Sequence, residues 1–105
     1  DELNFRKQVS EFLSIMNENG VTILMTSERE IGNIDQIKFK AEDFLFEGLM
    51  LLFKVRRGST FERCITIQKM RSQSHMTGIY PFAITKTGIE IFPKEIPFSL
   101  TEQSE

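Results

Sequence analysis

Tryptophan is absent from the 105 residues, and cysteine, histidine and tyrosine occur once each, as Cys64, His75 and Tyr80. A lone cysteine excludes an internal disulfide and fits a reducing compartment. One cysteine and one histidine do not make a usual structural zinc site. No apolar run is long enough to span a bilayer, and no signal-peptide pattern is present. A formal charge of -2 gives no global pull toward nucleic acid or an anionic membrane, so any basic function is local. The chain carries no Gly-x-x-x-x-Gly-Lys-Ser/Thr loop to wrap a triphosphate in backbone amides. No apolar strand ends in an acid placed for magnesium. These absences argue against a self-sufficient nucleotide hydrolase. They predict a cytoplasmic chain of one domain, or a piece of one.

What the sequence does hold is ten phenylalanines, enough for a core. Phe5, Val9, Phe12, Leu13 and Met16 repeat at helical spacing, predicting a helix over 3–19 that Asn19-Gly20 stops. Val21–Thr26 follows, short and almost wholly apolar, as a strand of a parallel sheet would be. A helix feeding such a strand is half of an α/β unit. Ile31–Lys40 reads as a connection with a turn at Gly32-Asn33. Residues 41–47 predict a helical turn with Phe44 and Leu45 inward. Two antiparallel hairpins come next. One joins 49–56 to 61–70 through Arg57-Gly58-Ser59-Thr60. The other joins 82–85 to 89–92 through Gly88. Cys64 falls inside a strand, where a small buried apolar side chain is expected. The last residues, 94–105, read as a tail whose Ile96, Phe98 and Leu100 alternate like an edge strand, ending disordered.

The stretch Lys69–Phe82 is where chemistry concentrates. Residues two apart in a strand share a face, so Lys69 and Arg71 project to one place, and His75 follows on a loop of Ser72, Gln73 and Ser74. Arginine grips phosphate oxygens in pairs and lysine adds a compact charge. A phosphate-binding surface and a solvated strand end both fit this pattern. Thr26, Ser27 and Glu28 stand where a loop often borders a ligand in open α/β sheets, and equally where capping hydroxyls serve local backbone. Lys54, Arg56, Arg57 and Arg63 cluster on the first hairpin. They would serve a nucleic acid backbone or simply a solvated rim. The aromatic interleaving of single-strand binders is missing.

Several of these residues carry a resemblance. Val21–Glu28, Lys69-Met70-Arg71, Ser74-His75-Met76, Gly78, Tyr80-Pro81-Phe82, Ile84-Thr85, Gly88-Ile89 and Ile91-Phe92-Pro93 are similar to the C-terminal half of a KaiC-type ATPase domain. The likeness runs from the first helix to Pro93. It implies a partial RecA-like α/β fold over 1–93, of the class that holds P-loop NTPases, with the tail over 94–105. It also implies a homo-oligomer, a hexameric ring with ATP between subunits. One subunit would bring the phosphate loop and the acid that holds Mg2+. Its neighbour would bring Lys69 and Arg71 to the phosphates, the backbone near Met70 beside the nucleotide, and His75 toward the ribose. Lys69 and Arg71 would be the trans-acting catalytic pair, and Lys69, Met70, Arg71, Ser74, His75 and Thr85 the nucleotide-binding set. No metal ligand falls in this chain.

The departures from the family pattern are specific. Ser72 stands where glycine is common, Gln73 where threonine is, Thr77 where lysine is, and Lys86 where aspartate is. Phe46-Glu47 replaces a small residue and an aspartate. The resemblance leads to a chain with no catalysis alone, expected to be part of a longer ATPase. The alternative is a truncated scaffold that oligomerises to cover an open strand and serves as a module for protein or nucleic acid.

Overall fold

The computed structural model describes residues 2–28 and 40–101. They fall into two compact units, one ending at Phe46 and one beginning at Glu47.

In the first unit α1 spans Glu2–Glu18, one residue from the predicted start and end. Its C-terminus closes as a Schellman motif. Gly20 lies at φ 69°, its N–H donates to Asn17 O at 3.1 Å, and Val21 N–H donates to Met16 O at 3.0 Å. Along the predicted stripe Val9, Leu13 and Met16 are half-buried while Phe5 and Phe12 stay exposed.

The parallel-type strand expected at Val21–Thr26 is not formed here: residues 21–28 carry no regular structure. A parallel strand exists only with hydrogen-bonded neighbours, and the one sheet among the described residues is built elsewhere in the chain. The predicted turn at Gly32-Asn33 lies outside the described residues.

The helical turn predicted over 41–47 is a short 3-10 helix, Ala41–Leu45. Of the two side chains expected inward, Leu45 is half-buried and Phe44 is exposed, while Asp43 is buried. The Asp43 carboxylate accepts the Lys40 N–H at 2.8 Å, and Lys40 O accepts the Asp43 N–H at 3.0 Å.

The second unit is a four-stranded antiparallel sheet in the order β1-β2-β3-β4. The strands are β1 Gly48–Arg57, β2 Thr60–Met70, β3 Ile79–Thr85 and β4 Gly88–Ile91. Both predicted hairpins are present. Gly58 at φ 59° and Gly88 at φ 130° make the turns that side chains resist. Leu51 faces Thr66 and Phe53 faces Cys64 across the ladder, and Leu51, Cys64 and Thr66 are buried. This row is the inner face of the sheet. The opposite row stays open: Met50, Leu52, Ile84, Ile89 and Ile91 are all exposed.

Over its described residues, 94–101, the predicted tail forms no edge strand; its last residues, 102–105, lie outside the described residues. Phe98–Thr101 form a short helix, α2, with Pro97 and Ser99 buried. Glu62 decides this locally, because its carboxylate accepts the N–H groups of Phe98 and Ser99, each at 3.0 Å. Those donors are the ones a helical first turn leaves unsatisfied.

Candidate functional site

The β1–β2 hairpin is long, and burial alternates along Gly48–Arg57 at the period of a strand although Leu49–Phe53 are all apolar. One irregularity interrupts it. Met50 pairs with Ile67 and Leu49 with Lys69, so Gln68 is an extra residue on β2. This is a β-bulge. It re-registers the end of the strand. Simple alternation groups Lys69 with Ile65 and Ile67. The bulge instead sets Lys69 opposite Leu49, in the row of Leu51.

Arg71 follows one residue beyond the end of β2. Arg71 N–H donates to Glu47 O at 2.8 Å, extending the ladder one step past the strand end. Lys69 therefore lies in the paired part of β2, and Arg71 stands one residue past the strand, at the start of the turn. Lys69 and Met70 are half-buried and Arg71 is exposed. Ser72 then takes φ 65°, the one non-glycine residue at positive φ among those described. The chain turns sharply there, directly after the cations.

The loop that follows holds exposed Ser74 and half-buried His75. His75 Nδ1 lies 2.9 Å from Met76 O. A carbonyl oxygen only accepts, so Nδ1 carries the proton and Nε2 is the nitrogen left to face a ligand. The loop is tied back to the sheet at its far end, where the Thr66 hydroxyl donates to Gly78 O at 2.9 Å. Tyr80 packs over Gly78 and pins the same point.

Lys69, Met70, Arg71, Ser74 and His75 thus occupy one end of the sheet. Thr85 does not join them. Thr66 pairs with Ile79 and Cys64 with Pro81, so β3 runs away from that end and Thr85 lies toward the first hairpin turn. Its hydroxyl is also committed locally, donating to Gly88 O at 3.1 Å and accepting the Thr87 N–H at 3.3 Å. Lys86 is exposed in the same turn, and Thr26, Ser27 and Glu28 are exposed in the first unit.

The basic cluster on the first hairpin is divided in its use. Lys54 faces Arg63 directly across the strands. Arg56 Nε donates to Gly58 O at 2.9 Å, and the Arg57 guanidinium sits 3.8 Å over the Phe98 ring. Cys64 is fully buried; burial first, and then the charge of Glu62, push its thiol up to about 11. It is a packing residue, as its place in a strand predicts. Among the described residues no three His, Cys, Asp or Glu side chains converge where they could hold a metal ion. None of the described helices is long and apolar enough to cross a membrane.

Two cations at a strand end, then a sharp turn, then histidine, glycine and Tyr-Pro-Phe are the residues that carry the resemblance; direct comparison shows the family itself. The family model described as "ATPase: KaiC" matches residues 1–96. The chain belongs to the KaiC ATPase family. Its fold class is accordingly that of a KaiC/RecA-like α/β ATPase domain, of which the helix and the antiparallel sheet are the described parts. The circadian clock oscillator protein KaiC of Picosynechococcus sp. (strain ATCC 27264 / PCC 7002 / PR-6) is 37% identical over 90 residues. That of Synechococcus elongatus (strain ATCC 33912 / PCC 7942 / FACHB-805) is likewise 37% identical, and that of Acaryochloris marina (strain MBIC 11017) 36%. Each alignment covers 84% of this chain and 17% of the relative. The chain therefore spans about a sixth of the length of the KaiC proteins it matches.

Two features of the site are not readable from the residues themselves. The bulge at Gln68 has no local signal, because glutamine is indifferent to it. The positive φ at Ser72 has one indirect signal, the glycine common at that position in the resembled family.

Proposed function

We propose that this chain supplies the trans-acting side of a nucleotide site in a KaiC-family ring ATPase. In this reading a neighbouring subunit holds ATP and Mg2+ on its own phosphate loop. Lys69 and Arg71 reach the phosphates from across the interface, with the Met70 backbone and Ser74 alongside. His75 presents Nε2 to the ribose side. The observation that carries the proposal is two cations at one end of the sheet, Lys69 in β2 and Arg71 one residue past it with its N–H on Glu47 O, followed by the turn at Ser72. Two fixed cations offset charge that develops on the oxygens of a transferred phosphoryl group, which is the work of an arginine finger. The geometry favours Lys69, Arg71 and His75 as the core of the set. Thr85 would contact only a part of the nucleotide that reaches the β3–β4 turn.

The test is Arg71→Ala in the longer protein that contains this segment, with ATP turnover and ring assembly measured together. Loss of an arginine finger lowers turnover by about 10³-fold, and assembly should persist. Unchanged hydrolysis in an intact ring would remove the assignment.

A further inference from the structure

Independently of the nucleotide site, we infer that the outer end of the first hairpin is a docking surface for the segment Pro97–Thr101 of the same chain, with Glu62 as its receptor. Four observations support it. The Glu62 carboxylate spends one oxygen on Phe98 N–H at 3.0 Å and the other on Ser99 N–H at 3.0 Å and Ser99 Oγ at 2.8 Å. Arg57 covers the Phe98 ring at 3.8 Å. Pro97 and Ser99 are buried, and Ser99 lies 37 residues from its partner Glu62. Finally, the family match ends at Ile96, the residue before this segment begins.

A helix of one turn does not form on its own, because nucleation fixes several dihedrals for a single hydrogen bond. Phe98–Thr101 are helical because Glu62 satisfies the first-turn donors. The surface therefore reads a Pro-Phe-Ser turn: a proline with no donor to leave unpaired, an aromatic ring for the guanidinium, and a hydroxyl for the carboxylate. The charge on Glu62 is central, since hydrogen bonds to an ionised acceptor are about twice as strong as neutral ones. The charged and titratable groups around it are Arg57 from β1, Arg63 and Cys64 from β2, and Glu95 from the chain entering the segment. None of α2's described side chains is ionisable.

Amide hydrogen exchange on the full chain tests this, with Glu62→Gln, Ser99→Ala and the unaltered protein compared. Glu62→Gln keeps the shape and removes the charge. It should speed exchange at Phe98 and Ser99 by about tenfold, while Leu51, Cys64 and Thr66 keep their protection. Ser99→Ala should speed exchange at the same two amides by a smaller factor. Unchanged exchange at Phe98 and Ser99 in Glu62→Gln would overturn the proposal. So would an equal loss of protection at the sheet amides, because Glu62 would then be a prop of the hairpin and no receptor.

Discussion

Tyr80 folds its phenol back over Gly78: a β-carbon built on Gly78 would stand 2.5 Å from the Tyr80 hydroxyl oxygen and 2.7 Å from the ring carbon that bears it. The glycine is needed for space, and the ring closes the His75 loop onto the sheet. Gly78→Ala should displace the ring and destabilise the second unit by about 1–2 kcal/mol, the usual cost of overpacking. Chemical denaturation measures it. In a Tyr80→Ala background the three atoms nearest the added methyl, all of the Tyr80 side chain, are gone, so the cost of Gly78→Ala should fall. A cost that persists there would place the strain in the backbone instead.

Ser72 offers the opposite case. It holds φ 65° without being glycine. A left-handed conformation costs an ordinary residue roughly 1–2 kcal/mol, and glycine gives back part of that gain through its freer unfolded chain. Ser72→Gly should therefore stabilise the protein by about 0.5–1 kcal/mol. Thermal or urea unfolding would show the midpoint rising. A lower midpoint would mean that the serine side chain holds the turn.

How far the sequence discloses this structure depends on how local each cause is. Helix α1 and the two hairpins are legible to within a residue or two, save that β3 begins at Ile79, three residues before the expected start, because periodicity and the glycine turns act within a few positions. Val21–Thr26 has the composition of a strand and is not one here, because a parallel strand needs neighbours that its own residues cannot supply. Phe44 is exposed against expectation, and Asp43 is buried instead, its carboxylate held by the Lys40 N–H in that 3-10 turn. The alternation of Ile96, Phe98 and Leu100 suggests a strand, yet Glu62, 36 residues away from Phe98, makes a helix of it. At the site, Lys69, Arg71 and His75 are legible as chemistry. The bulge that sets the row of Lys69 is not.

Cys64 has a thiol pushed up to about 11 by burial and then by the neighbouring Glu62 charge. Only the thiolate reacts with alkylating agents. The native protein should therefore resist iodoacetamide at pH 8 and label fully in denaturant. The linkage has a definite sign. Between the unfolded value, about 8.5, and about 11, the native state keeps a proton that the unfolded state has lost. Stability should thus fall as pH rises through that window. In Cys64→Ala the alkaline decline should flatten. Rapid native labelling would show instead that the β2 strand opens readily.

Glu62 gives the corresponding prediction in acid. Burial alone would raise its carboxyl, but the N–H groups of Ser99 and Phe98, the Ser99 hydroxyl and the Arg57 charge outweigh it and hold the group below its ordinary value of 4.5. A carboxylate with a lowered native pKa contributes stability that is fully present above the unfolded value and is lost as pH falls through the native one. Docking of Pro97–Thr101 should accordingly be constant at neutral pH and weaken only below pH 4.5. The Phe98 ring resonances, which lie against Arg57 at 3.8 Å, report this directly in an acid titration. Glu62→Gln should show the released shifts at every pH, with no acid step of its own. An acid transition of the same size in that variant would assign the titration to another carboxylate.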